Sequence, residues 1–91
     1  MLRNHLIISG VVQGVGFRMT AKQRANEVGV YGWVKNLPDG TVEIEVEGSK
    51  DKVNEFTEVI RKGPGGFIKV DHVEITTLDD PKGYSSFEVK L

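Results

Sequence analysis

A chain of 91 residues, 38% hydrophobic and 27% charged, has the material for one core and not for two. Its formal net charge of −1 speaks against a general nucleic-acid binder, which carries a basic excess. The absence of cysteine excludes disulfides, thiolate nucleophiles and zinc–thiolate sites, and no apolar run approaches the ~18 residues of a membrane span.

The N-terminal stretch MLRNHLIISG lacks a cleavage-site pattern, so no signal peptide is expected and the default location is the cytoplasm. His5 to Val12 is a short run rich in Ile and Val, a strand by composition. Arg18 to Val28 contains neither Gly nor Pro; Phe17, Ala21, Ala25 and Val28 share one helical face, and Gly29 is a natural residue just beyond the end. Val30 to Asn36 (VYGWVKN) is aromatic and β-branched, a second strand. Leu37 to Gly40 (LPDG) reads as a turn, with Pro presetting φ and Gly permitting a positive one. Thr41 to Glu47 alternates strictly, with Val42, Ile44 and Val46 on one side and Glu43, Glu45 and Glu47 on the other, which predicts a sheet with a dry face and a wet face.

The second helix is expected over Ser49 to Lys62, with Ser49 as N-cap, Asp51 near the positive end of the dipole and a stripe of Val53, Phe56, Val59 and Ile60. After the GPGG loop (Gly63 to Gly66), Phe67 to Leu78 reads as a strand whose apolar parity slips from Ile68 and Val70 to Val73 and Ile75. That slip predicts a β-bulge near Asp71 and His72. Asp79 to Gly83 is a turn, and Tyr84 to Leu91 a last strand with Phe87, Val89 and Leu91 on one side. The order is β-α-β-β-α-β with a fifth edge strand, on a single domain spanning residues 1–91. Two helices must cover the dry face of one antiparallel sheet, which is the α+β, ferredoxin-like arrangement.

The chemistry concentrates in SGVVQGVGFR, Ser9 to Arg18, which joins the first strand to the first helix. Glycines there let the backbone fold tightly and expose its N–H groups, and N–H groups converging beside a helix N-terminus form an anion site. Arg18 adds a planar, permanently charged fork able to bind two phosphate oxygens. The loop is neither a Walker A motif, since no G-K-[ST] follows, nor a dinucleotide fingerprint. A plain strand-to-helix turn ending in an exposed arginine is the competing reading, although an arginine in a first helical turn opposes the dipole.

In the second constellation, GWVKNLPDGTVEIEVEG (Gly32 to Gly48), Asn36 stands where a turn begins, a place Asn favours with or without a function. Lys35 reads as a solvated neighbour of the glutamates and Trp33 as sheet packing. His5 and His72 lack ligand-spaced partners, so no metal site is expected.

Together the two stretches resemble the acylphosphatase family. Gly10, Val12, Gln13, Gly14, Val15, Phe17 and Arg18 match its first signature; Gly32, Trp33, Val34, Lys35, Asn36, Gly40, Val42 and Gly48 match the second, at the right spacing. The resemblance implies a metal-independent, cofactor-free hydrolase of acyl phosphates. In it, Arg18 is the catalytic phosphate-binding arginine, Asn36 holds the attacking water, and the backbone of Gln13, Gly14, Val15, Gly16, Phe17 and Arg18 binds the phosphate. Inorganic phosphate would then be product and competitor. Val11 stands where a polar or basic residue is common, and Gly16 where vertebrate members carry a bulky aromatic; these departures bear on acyl-group preference and loop stiffness.

An RNA-binding module of similar topology would need an aromatic, basic third strand, and TVEIEVE is neither. A non-catalytic anion-binding module of the same fold stays open, and turnover of benzoyl phosphate separates it from the enzyme. No nucleic-acid or membrane partner is expected. The edge strand Tyr84 to Leu91 shows no strong pairing signal, and a monomer is expected.

Overall fold

A computed structural model describes residues 1–91. The elements follow the order β1 (Leu2–Val11), α1 (Phe17–Val28), β2 (Tyr31–Asn36), β3 (Val42–Gly48), α2 (Lys50–Lys62), β4 (Lys69–Leu78) and β5 (Phe87–Val89). They build one five-stranded sheet in the order β4-β1-β3-β2-β5. The β1–β3, β1–β4 and β2–β3 pairs are antiparallel, but β5 lies parallel to β2, so the sheet is mixed. This is the expected ferredoxin-like βαββαβ sandwich with an added edge strand, whose direction the sequence leaves open and whose length is shorter than expected. Only Phe87 to Val89 pair as a strand, and Leu91 is fully exposed rather than aligned with Phe87 and Val89.

Both helices pack on one face, α1 against β2 and β5 and α2 against β1, β3 and β4. The core between them takes Leu6, Ile8, Val34, Val42, Ile44 and Val46 from the strands and Phe17, Ala21, Ala25, Val53, Phe56 and Ile60 from the helices. Phe87 closes it, its ring 5.8 Å from that of Phe56. Both helix ends obey their local signals. The Ser49 hydroxyl accepts from the Lys52 N–H, and Gly29 and Gly63 terminate α1 and α2, with their N–H groups donating to Ala25 and Ile60.

The parity slip in β4 is a bulge: Ser9 pairs with His72 and Gly10 with Val70, leaving Asp71 as the extra residue. Gly10 is required at this point, since its φ is 132° and a Cβ there would lie 2.2 Å from the Lys69 carbonyl oxygen. Past the bulge Val73 packs on the core while Ile75 stays largely exposed on the sheet edge.

The expected wet face is overturned. Glu47 is fully buried and Glu45 nearly so. The Glu47 carboxylate accepts three backbone N–H bonds, from Lys82 at 2.7 Å and from Gly83 and Tyr84 at 2.9 Å each. Glu45 Oε1 accepts from Arg3 at 2.9 Å and from the Tyr84 hydroxyl at 2.6 Å, and that hydroxyl in turn accepts from the Trp33 indole N–H. Arg3 also donates to the Asp80 carboxylate and carbonyl. The segment between β4 and β5 therefore folds over this face, and the glutamates are what it is fastened to. Only the Glu43 end remains partly open, where the carboxylate meets His5 at 2.6 Å and Lys35 at 3.7 Å.

Candidate active site

The site lies where the last residues of β1 and β2 and the first of β3 meet at one end of the sheet. Val42, the first residue of β3, pairs with Ile8 on one side and Asn36 on the other. The C-terminal ends of β1 and β2 thus sit on either side of the same residue, about 10 Å apart at the usual strand spacing. The glycine-rich loop leaves β1 just beyond that point and enters α1 at Phe17.

That loop needs glycine. Gly14 and Gly16 have φ of 76° and 77°, and Gly16, in the left-handed region, is the residue from which α1 starts. The helix begins at Phe17, the first residue of its apolar face and one residue before the expected start at Arg18, and no side chain caps it. None of the backbone N–H groups from Gln13 to Met19 donates to an acceptor in the fold; the first to do so is that of Thr20, to the Gly16 carbonyl at 3.1 Å. A run of unpaired donors at a helix N-terminus carries the positive end of the dipole and suits an anion.

The expected site residues divide by role. Gly14 and Gly16 are exposed, while Gln13, Val15 and Arg18 are half-buried. Phe17 is buried in the core, so its side chain anchors the start of α1 and only its amide faces the question of binding. The Arg18 guanidinium donates one N–H from Nη1 to the Lys90 carbonyl at 2.9 Å, which leaves most of its five donors uncommitted. Asn36 ends β2 half-buried, and its Oδ1 is buried with no hydrogen-bond partner. A buried amide oxygen without a partner costs on the order of 1–3 kcal/mol, which a water or ligand donor would relieve.

The acylphosphatase family model matches residues 4–89. The chain belongs to the acylphosphatase family. It is 47% identical to the acylphosphatase of Chlorobaculum tepidum over 79 residues, which cover 82% of this chain and 86% of that one. It is 43% identical to the acylphosphatase of Thermococcus kodakarensis over 88 residues, covering 97% and 94%. The crystal structure of acylphosphatase from Bacillus subtilis superposes with a TM-score of 0.95 at 36% identity, covering 100% of both chains. The chain is an enzyme of this family, whose reaction is the hydrolysis of acyl phosphates. No helix is long and apolar enough to cross a membrane.

Two contacts at this candidate site are not legible from the motifs. One is the Lys90 carbonyl that holds Arg18; a backbone acceptor 72 residues away leaves no trace in the sequence. The other is the Gln13 side chain, which crosses to the turn after β2. Its signal is chemical: among the loop residues up to Phe17, Gln13 alone has a polar side chain.

Proposed function

We propose that the enzyme hydrolyses acyl phosphates by in-line attack of a water held by Asn36 on a phosphoryl group bound by Arg18 and the amides of Gln13 to Arg18. The observation that carries this reading is the coincidence, at one sheet end, of a run of unpaired N–H donors with a buried, partnerless Asn36 oxygen. The first suits a dianion and the second suits a water.

The chemistry asks for little more. The leaving group is a carboxylate whose conjugate acid has a pKa of about 4, so it departs unprotonated and needs no general acid. Phosphoryl transfer depends chiefly on positioning and on neutralising charge at the phosphoryl oxygens. Loop amides and the Arg18 fork supply that, and loss of one such donor typically costs on the order of 3 kcal/mol of barrier. Asn36 does not titrate, so it orients the water and does not deprotonate it. The water's proton passes to a phosphoryl oxygen of the substrate. Alkyl phosphate esters, whose alkoxide leaving groups need protonation, should be poor substrates.

The test is Arg18→Ala with benzoyl phosphate as substrate. The arginine's only side-chain hydrogen bond in the fold is an exposed one to the Lys90 carbonyl, so the circular dichroism spectrum should match wild type. The value of kcat/KM should fall by about a hundredfold or more. Near-normal turnover would remove Arg18 from the phosphate site, and a wild-type protein without turnover would favour a non-catalytic anion-binding module.

A further inference from the structure

The Gln13 side chain spans the two halves of the site. Its single amide nitrogen donates to two carbonyls, Leu37 and Thr41, each at 2.8 Å. Those carbonyls close the turn that follows Asn36: Leu37 O also accepts from the Gly40 N–H at 3.2 Å, and Thr41 O from the Leu37 N–H at 2.9 Å. Gln13 therefore adds a second donor to both acceptors and spends both amide hydrogens on one turn.

The Asn36 side chain makes no hydrogen bond in the fold, and its Oδ1 is buried without a partner. Its orientation is therefore inherited from the backbone at the end of β2. That backbone runs straight into the turn at Leu37, and the turn is gripped by the first residue of the phosphate loop. We propose that the Gln13 side chain is a positioning residue, fixing Asn36 relative to the phosphate loop so that water and phosphorus are brought into line. The inference rests on the role given to Asn36 above and is separate from the Gln13 amide, which any side chain leaves in place. Loss of register on the ångström scale between attacking and bound groups is enough to cost up to ~100-fold in rate.

The experiment is a double-mutant cycle between Gln13→Met and Asn36→Ala, reading kcat with benzoyl phosphate and the inhibition constant of inorganic phosphate. Met keeps the length of the side chain and removes both donors, so the fold should survive, with thermal unfolding as the control. Gln13→Glu, which sets a carboxylate against two carbonyls, is the second variant.

The expected result for Gln13→Met is a kcat lower by about tenfold or more with phosphate inhibition changed less than about threefold, and Gln13→Glu should be lower still. The double variant should be no slower than Asn36→Ala alone within about threefold, because Gln13 acts through Asn36. Fully additive losses, a phosphate inhibition constant rising in step with the fall in kcat, or wild-type turnover in both Gln13 variants would each overturn the proposal. If Asn36→Ala itself turns over normally, the water-holding role of Asn36 fails, whatever Gln13 does.

Discussion

Polar groups are crowded at two places in this molecule, and they are treated in opposite ways. On the helix-free face of the sheet, Glu45 and Glu47 are buried and each carboxylate is engaged by two or three donors. At the sheet end, the amides from Gln13 to Met19 and the oxygen of Asn36 have no partner in the fold. A buried charge that is fully hydrogen-bonded serves the fold, since breaking it strands the remaining partners. Backbone donors left unpaired at a helix start are free for water or an anion, and a buried acceptor without a partner costs stability until something binds it. Substitutions at the first place should therefore change stability, and at the second, catalysis.

The largest effect is expected at Asn36. Asp forms turns as readily as Asn, so Asn36→Asp should fold normally. It puts a carboxylate beside a bound dianion; at roughly 5 Å and an effective dielectric near 20 the repulsion is about 3 kcal/mol per charge pair before screening. Turnover should drop at least about a hundredfold and phosphate should inhibit more weakly. Asn36→Ala should lose turnover comparably and keep phosphate affinity, because it adds no charge. Steady-state assays of both variants with phosphate competition read this directly, and normal turnover in both would make Asn36 a turn residue only.

Glu47 should show the reverse pattern. Glu47→Ala leaves three backbone N–H groups without their acceptor and frees the Lys82–Tyr84 segment. A loss on the order of 3 kcal/mol is expected, a Tm lower by roughly 15 °C for a chain of this size, with kcat/KM near wild type below that transition. Thermal unfolding and the benzoyl phosphate assay on one preparation separate the two readouts.

A smaller effect is expected in acid. Arg3 holds the Asp80 carboxyl below its ordinary value. For Glu45 burial pulls upward, but the hydrogen bonds from Tyr84 and Arg3 prevail and its pKa is lowered too. Groups lowered in the folded state add stability that is present above their unfolded values, near 4, and lost as pH falls through the folded ones. Stability measured in urea should thus be level above about pH 5 and decline below about pH 4. Arg3→Met should shallow that decline, because Asp80 then returns toward its unfolded value.

The contrast between the two places also explains how far the sequence could be read. Strand alternation in Val42 to Glu47, the Ser49 cap, the Gly29 and Gly63 endings and the bulge at Asp71 are local signals, and each is met in the fold. The glycine-rich loop and Asn36 are local too. The burial of Glu45 and Glu47 is not, because alternation places them on one face without saying what covers it. Their partners, Arg3 and Lys82 to Tyr84, lie dozens of residues away, and Leu2 to Asn4 lacks the apolar pattern that would mark it as strand. The direction of β5 rests likewise on pairing with β2, which three residues cannot announce.

The most direct measurement is a titration of the isotopically labelled enzyme with inorganic phosphate, following backbone and side-chain amides by NMR. The amides from Gln13 to Met19 should shift together and saturably, with the Asn36 side-chain amide responding as well, while Lys82, Gly83 and Tyr84, already bonded to Glu47, stay in place. Saturable shifts confined to another part of the surface, or none at the Gln13–Met19 amides at concentrations that inhibit turnover, would contradict the assignment of the unpaired donors to phosphate.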